Sequence, residues 1–418
     1  MARLDFDFLF IGGGILGSAC AMVFSACLGG GERIGVVDVD LDGVHSSTLK
    51  NAGGVRSTWR NRANIELTKY SIDYFRTVKD EVGFRELGYF WLHDESSWQE
   101  MLSNYPLYEE YGLPVELYAP EDVPGHLPFV DSLEGIAGLS ISRHAGLIDP
   151  YLLREHYRRS AKQAGVSFLD GSIVVGMSLT GGRVADVTIL RVEEALMHRE
   201  RAEVAKRYLL HGSSSLPGEV LTIPCGTLIN TAGAWAPRVS ALYGLRDESV
   251  RPRRRQMALF HCPDVDLSCF GMVIDTSDVY FHQEGDNILA GYSNMDEPFG
   301  YNLDYDFGGV EEGSSFVSLI WTPLYARSSL FERVKFIRGW AGLYAETPDR
   351  SGFLGRVPGF ENLYECSAHT GRGVMVSYGA AVALADIIAD GRLRPALASV
   401  YDLSRDRPRG ALYEELHL

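Results

Sequence analysis

Phe6-Asp7-Phe8-Leu9-Phe10-Ile11-Gly12-Gly13-Gly14-Ile15-Leu16-Gly17 runs a buried-strand pattern straight into G-x-G-x-x-G, and a second apolar run, Ile34 to Val37, ends at Asp38. A strand, a glycine turn, an apolar helix from Ala19 to Leu28 and an acid about 20 residues further on make the fingerprint of a dinucleotide site. The three glycines serve different ends. Gly12 permits the tight turn, Gly14 lets a pyrophosphate approach the backbone, and Gly17 lets helix and strand pack closely. Ile15 and Leu16 lie between the last two of these glycines, ahead of the helix, whose N-terminal N–H groups favour an anion. Asp38 is placed to hold ribose hydroxyls. Asp40 and Asp42 compete for that role, and Asp38 is preferred because it directly follows the apolar run.

The chain has 418 residues, 46% hydrophobic and 22% charged. That composition is globular, and the length exceeds one ordinary core, so two domains are expected. A formal charge of -16 argues against sequence-independent nucleic-acid binding, which needs clustered cations. The longest apolar stretches are broken by glycine or charge before the roughly 18 residues of a membrane helix, so no transmembrane segment is expected. The N-terminal apolar segment carries the nucleotide motif and lacks the basic region and cleavage site of a signal peptide; a cytoplasmic location is expected. Cys20, Cys27, Cys225, Cys262, Cys269 and Cys366 show no C-x-x-C or Cys/His spacing. Neither a metal site nor a disulfide framework is expected, and the thiols read as reduced and structural.

Beyond the nucleotide unit, Ile65, Thr68, Ile72, Phe75 and Val78 give Ala63 to Val82 the spacing of an amphipathic helix. Tyr89 to Leu92 reads as a strand and Trp98 to Tyr111 as a helix. Asp149-Pro150 offers an N-cap and a first-turn proline for a helix ending near Gly165. Ser172 to Ser178 and Val184 to Leu190 form a hairpin about Gly181-Gly182. The charged, then Ser/Gly-rich stretch from Arg191 to Val220 reads as a solvated insertion without catalytic weight. From Pro252 to Tyr292 strand follows strand, including Arg255 to His261, Val279 to Gln283 and Asn287 to Tyr292. Phe336 to Tyr344, Leu363 to Cys366 and an apolar helix from Val374 to Ile388 suggest a return to the first domain.

A strand from Thr227 to Asn230 leads into Thr231-Ala232-Gly233-Ala234-Trp235-Ala236, where small residues let backbone pass close to something bulky. Together with the opening motif this resembles the second nucleotide-domain signature of the D-amino-acid oxidase and sarcosine oxidase superfamily of FAD enzymes. The resemblance is carried further by Ser46-Ser47-Thr48-Leu49-Lys50-Asn51-Ala52-Gly53-Gly54-Val55-Arg56, Pro252-Arg253-Arg254-Arg255-Gln256, Gly339-Trp340-Ala341-Gly342-Leu343-Tyr344 with Thr347-Pro348-Asp349, and His369-Thr370-Gly371-Arg372-Gly373-Val374. His261-Cys262-Pro263 and Asp275-Thr276 are most similar to the FAD-dependent oxidoreductase domain group that includes a complex I assembly factor.

The resemblance implies an α/β fold: a Rossmann-like FAD-binding domain (1–86, 146–246, 336–418) interleaved with an antiparallel or mixed-sheet substrate domain (87–145, 247–335), in the D-amino-acid oxidase subclass of the glutathione reductase-like architecture. It assigns to FAD, besides the residues of the opening motif, Ser46, Ser47, Asn51, Ala52, Gly53, Gly54, Val174, Ala232, Gly233, Trp235, Gly342, Gly371, Arg372, Gly373, Val374 and Met375. It implies hydride transfer to flavin N5 from a carbon bearing an amine, so the substrate is a small amine or amino acid; the electron acceptor is left open. Arg56, His282, Tyr344 and Arg372 are the candidate catalytic residues, with Arg338 and Tyr280 also considered. Arg56 ranks first as a carboxylate-positioning cation; a salt bridge pinning its loop is the competing reading.

Several departures bear on the substrate. Where glycine oxidase and D-amino-acid oxidase have a carboxylate arginine, this chain has Tyr344; where monomeric sarcosine oxidase has a carboxylate lysine, it has Met375. The attachment positions of covalently flavinylated relatives hold Asn51 and Gly342, so FAD is expected to be non-covalent. Leu289 stands where sarcosine oxidase has its oxygen-activating lysine, which favours a dehydrogenase over an oxidase. A 2-hydroxy-acid dehydrogenase and a flavin-containing assembly or scaffold protein remain as alternatives.

Overall fold

The computed structural model describes residues 5–213, 215–245, 249–263, 265–293, 296–306, 316–407 and 414. β1 (Phe6–Ile11), α1 (Ile15–Leu28) and β2 (Ile34–Val37) form the glycine-motif unit, and a loop leads on to β3 (Gly54–Arg56) and α2 (Arg62–Thr77). Next come β4 (Tyr89–His93), α3 (Glu95–Glu110), β5 (Val115–Tyr118), β6 (Gly138–Ser142) and β7 (Ala145–Leu147). α4 (Pro150–Gln163) is capped as its sequence predicts, Asp149 Oδ1 accepting from the Tyr151 and Leu152 N–H groups at 2.8 and 3.0 Å. β8 (Ser167–Leu169), β9 (Ser172–Thr180), β10 (Arg183–Val192), α5 (Glu194–His211) and β11 (Gly218–Asn230) follow. The second half holds β12 (Arg251–His261), β13 (Met272–Ile274), β14 (Val279–Glu284), β15 (Asn287–Tyr292), β16 (Lys335–Glu346), β17 (Phe353–Arg356), β18 (Leu363–Ser367) and α6 (Gly373–Asp390).

These strands make two eight-stranded sheets, the fold being a Rossmann-like dinucleotide domain interleaved with a mixed-sheet domain. The first has a parallel centre in the order β8-β2-β1-β11-β18, with β17 antiparallel at the edge and the β9–β10 hairpin attached through β11. Both faces of its centre are covered, so its strands read as continuous apolar runs. One face lies under α1, α2, α4 and α6, in a core that includes Phe10, Val36, Phe75 and Leu384; the other packs Leu9, Val37 and Leu228 against Val187 and Ile189 of the hairpin. The second sheet runs β16-β12-β15-β14-β13-β4-β6-β5 and is antiparallel except where β13 joins β4. β3 and β7 form a small ribbon.

Three differences from the sequence expectations have physical causes. The stretch from Arg191 to Val220 carries regular structure: β10 ends at Val192, α5 follows, and β11 starts at Gly218. Its charges hid a narrow apolar stripe, Met197, Val204, Ala205 and Leu209, which packs on Val39 and Ile173. Residues 336–346, assigned above to the third cofactor-binding segment, lie in β16 and pair with β12 in the second sheet, so the chain re-enters the first sheet at β17. The expected boundary at 246–247 lies outside the described residues. Finally, α6 has the length and apolarity to cross a membrane, yet it is wedged against α1 and α2 in the core, with Val376, Ala380, Ala383 and Leu384 wholly buried.

The turn between β1 and α1 depends on absent side chains. A Cβ on Gly17 would overlap the Gly12 carbonyl oxygen and lie 2.8 Å from Thr231 Oγ1, whereas at Gly14 only Thr48 Oγ1 lies within reach, at 3.5 Å. Gly17→Ala is therefore expected to destabilise the cofactor-free protein by about 1–3 kcal/mol. Gly14→Val should leave its unfolding midpoint within about a degree of the parent; thermal unfolding followed by circular dichroism compares the two.

Candidate active site

One cavity lies between the two sheets. At one end the turn from Gly12 to Leu16 and the acids Asp38 and Asp40 line it; at the other, Tyr89, Tyr280 and Tyr344 do. Asp38 closes β2 and is fixed by backbone: its carboxylate accepts from Gly13 N–H at 2.6 Å and Asp40 N–H at 2.9 Å. Burial nevertheless raises its pKa. Thr48 reaches back from the following loop and accepts the Ile15 N–H at 3.1 Å, satisfying one of the orphan donors that open α1.

Two arginines missed in the sequence brace this end. Arg158 of α4 donates to Leu41 O at 2.6 Å, to Ser18 Oγ at 3.1 Å and to the carbonyl of Gly13, gripping the glycine turn from behind. Arg154, one turn earlier, donates to Asp42 O at 3.1 Å. Both line the cavity and both are buried. Their signal in the sequence was the i, i+4 spacing of two arginines on a capped helix, indistinguishable there from a solvated face.

The loop from Ser46 to Gly53 forms the middle of the wall. It is tied to β16 by Ser47 Oγ donating to Leu343 O at 2.7 Å and by Trp340 Nε1 donating to Lys50 O at 3.2 Å. Gly53 itself faces away: at φ +75° it turns the chain, and its N–H donates to Asn51 Oδ1 at 2.7 Å. Lys50 lines the cavity beside Gly342, its pKa lowered by burial and by Arg338.

The chamber end is built on one face of the second sheet, where Tyr89, Met272, Tyr280, Met257, Arg255 and Tyr344 project from five of the six successive strands between β16 and β4. Three glycines make room for the three phenols. A Cβ on Gly54 would strike the Tyr89 hydroxyl, one on Gly291 the Tyr280 ring, and one on Gly371, at φ +80°, the Tyr344 ring. Gly54 and Gly371 thus make space for side chains and not for backbone approach alone. Burial raises the pKa of all three hydroxyls, so they are neutral donors at ordinary pH. Arg255 sits 4.9 Å from the Tyr344 ring centroid and pairs at 3.1 Å with buried Glu346, which also meets Arg253 at 3.3 Å.

Of the residues the sequence proposed, Gly12, Gly14, Ile15, Leu16, Asp38, Ser46, Ser47, Asn51, Ala52, Gly54, Val174, Ala232, Gly233, Trp235, Gly342, Tyr344, Gly371, Gly373, Val374 and Met375 line this cavity. Gly17, Gly53, Arg56, His282 and Arg372 do not. Arg56 and Arg372 lie behind the tyrosines, their guanidinium carbons 3.7 and 4.8 Å from the Trp59 ring. Arg56 donates to Thr58 O at 2.5 Å and Arg372 to Arg350 O. Burial lowers both pKa values, Arg372 to about 10, and the Glu414 carboxylate opposes that shift in each. Glu414 is itself anchored at the start of α2 by the Arg60 N–H at 3.0 Å and Asn64 Nδ2 at 3.0 Å. His282 shares the face of Tyr280 but is capped, Nε2 meeting Ala52 O at 2.8 Å and Nδ1 meeting Gln283 O at 2.9 Å. The sequence alone did not show that Tyr89 and Tyr344 would stand between these groups and the cavity.

The geometry fits FAD on three counts. The glycine turn leaves open space at Gly14 where a pyrophosphate needs it. Two buried arginines face that turn in a strongly acidic protein. The N-terminus of α6, at Gly373 to Met375, opens onto the cavity, favouring negative charge there by about 1 kcal/mol. Among the described residues no cluster could hold a metal ion.

The model of a protein family described as FAD dependent oxidoreductase matches residues 7–387. FAD-dependent oxidoreductase domain-containing protein 1 of Xenopus laevis is 27% identical over 432 residues, covering 96% of this chain and 82% of its own. L-Proline dehydrogenase from P. horikoshii superposes with a TM-score of 0.79 at 20% identity, covering 97% of this chain and 100% of its own. Glycine oxidase from Bacillus cereus does so with a TM-score of 0.72 at 16% identity, covering 96% and 99%. With nearly its whole length matched and a cavity shaped for the dinucleotide, the chain belongs to the FAD dependent oxidoreductase family.

Proposed function

We propose that this protein oxidises the C–H bond beside the nitrogen of a secondary or N-methyl amino acid or amine, and that it does so as a dehydrogenase. The observation that carries the reading is the chamber of Tyr89, Tyr280 and Tyr344 with the Arg255 cation at its wall. FAD, which the glycine turn, Asp38 and the 46–54 loop would hold non-covalently, would supply the acceptor for the hydride and the two electrons it carries. The protein supplies position. Arg255, held by Glu346 and by its bond to the Arg254 carbonyl at 3.1 Å, is the cation placed to attract a substrate carboxylate. The phenols offer neutral hydroxyl donors, while Met257 and Met272 keep the chamber apolar. A low-dielectric, dry site disfavours the ammonium form and so presents the amine neutral, the form from which hydride leaves. Kinship in fold with enzymes named for proline and glycine supports an amino-acid substrate.

Leu289 supports the dehydrogenase reading. It is buried against Met257 and Tyr280 and brings no charge to the chamber. One observation favours an oxidase instead: Lys50 lines the cavity, and a cation beside the flavin stabilises the superoxide formed when oxygen takes the first electron.

The purified protein should be yellow, release all its flavin on acid precipitation, and lose its colour in Gly14→Val. Anaerobic titration with a panel of amino acids, N-methyl amino acids and 2-hydroxy acids should bleach the flavin with the nitrogen compounds alone; bleaching by hydroxy acids alone overturns the reading. Arg255→Met should slow reduction by the best carboxylate substrate about 10²-fold, the size of one lost positioning contact, with FAD retained. In stopped flow, the reduced protein should react with a quinone or dye faster than with air-saturated buffer. Rapid reoxidation by air that is lost in Lys50→Met would select the oxidase.

A further inference from the structure

α5 contributes to the cofactor cavity from outside the family motifs. Tyr208 and Leu209 line the cavity at the end where Asp38, Val39 and Asp40 also lie, opposite the tyrosine chamber. The helix is broken at Glu200, whose φ of -137° and ψ of 29° leave the helical region, so residues 201–211 form a separate segment. Both ends of that segment are fastened to groups around the cavity. At its start, Arg201 reaches Asp170 at 2.8 Å, Asp42 at 3.2 Å and Asp40 at 3.3 Å. Beside it the carbonyl of Ala202 meets His45 Nε2 at 3.0 Å. At its end the carbonyls of Tyr208, Leu209 and Leu210 accept from Arg238 at 3.0 Å, Trp235 Nε1 at 2.9 Å and Arg238 at 2.9 Å. His45, Asp40 and Trp235 all line the cavity.

We propose that residues 201–211 are a latch over the adenosine end of the FAD site, with Arg201 as its bolt. The charges give the reason. Asp40, Asp42 and Asp170 stand together beside a site for a doubly anionic pyrophosphate, and Arg201 is the cation that joins all three. It holds the segment down and neutralises carboxylates that would repel the dinucleotide. Its side chain is 26% exposed, so dissolved ions can compete for it. The latch therefore prolongs FAD residence through a salt-sensitive contact. It rests on the family's cofactor and is independent of the substrate.

The test follows FAD release from the holoenzyme by the recovery of flavin fluorescence after dilution. Arg201→Ala should release FAD about tenfold faster than the parent, in the range of a small ion-pair network. Arg207→Ala, on the same helix but bonded only to Ser215 at the surface, should match the parent. Raising salt from 50 to 500 mM should speed release from the parent and leave Arg201→Ala unchanged. If Arg201→Ala does not fold, Asp42→Asn, which removes the 71%-exposed arm of the network, should speed release about twofold and weaken its salt dependence. Parental release rates in the folded Arg201 variant, or in Asp42→Asn, would overturn the proposal, as would a parent whose release ignores salt.

Discussion

The close approach of α1 to the β1 turn is the constraint on which the rest depends. With no side chain at Gly17, the helix lies against the Gly12 carbonyl and the Thr231 hydroxyl, and that hydroxyl in turn donates to Ile11 O and Gly12 O, both at 2.9 Å. The contact joins β1 to the end of β11 and brings the two glycine-rich turns of the first sheet to one edge. The 46–54 loop can then bridge that edge and β16, Thr48 bonding to Ile15 while Ser47 and Lys50 on either side of it bond to Leu343 and Trp340. One cavity between two sheets is the outcome.

Charge is handled differently at the two ends of that cavity. Near the glycine turn, buried Arg154 and Arg158 share a single carboxylate, Glu155, at 3.1 and 3.2 Å and direct their other bonds largely at backbone carbonyls, so two cations are offset by one anion. Near the tyrosines, cations are screened: Arg255 by Glu346, and Arg56 and Arg372 by Trp59 and the Glu414 carboxylate. Removing one partner from such a buried set costs far more than an exposed pair, because the other is left uncompensated. The chamber thus presents neutral hydroxyls and a single paired guanidinium.

The parts of this arrangement legible in sequence were those written in local backbone demands. Gly12, at φ +103°, and the run into Asp38 gave the turn and the strand–helix–strand unit around it, and the small residues from Thr231 to Ala236 marked the second turn. What stayed hidden depends on long-range placement. Arg56 follows a loop that does line the cavity, yet β3 pairing with β7 turns its side chain behind Tyr89. Gly54 and Gly371 were assigned to the cofactor and Gly291 fell within a strand, and only the assembled sheets show that each accommodates a tyrosine. α5 was masked because its apolar stripe is narrow and its surface dense in charge.

The topology also has a consequence for biosynthesis. β1 and α1 leave the ribosome well before some of their partners: β1 lies between β2 and β11, and α1 packs against α6, which begins at Gly373. At roughly 5–20 residues per second, on the order of half a minute separates synthesis of α1 from that of its helical neighbour. During that interval Phe10, Ala19, Phe24 and the other apolar groups of the first unit lack half their covering. The nascent chain must keep a sticky surface apart from others like it until α6 is made, so the demand on chaperones falls during translation and before any cofactor can be held.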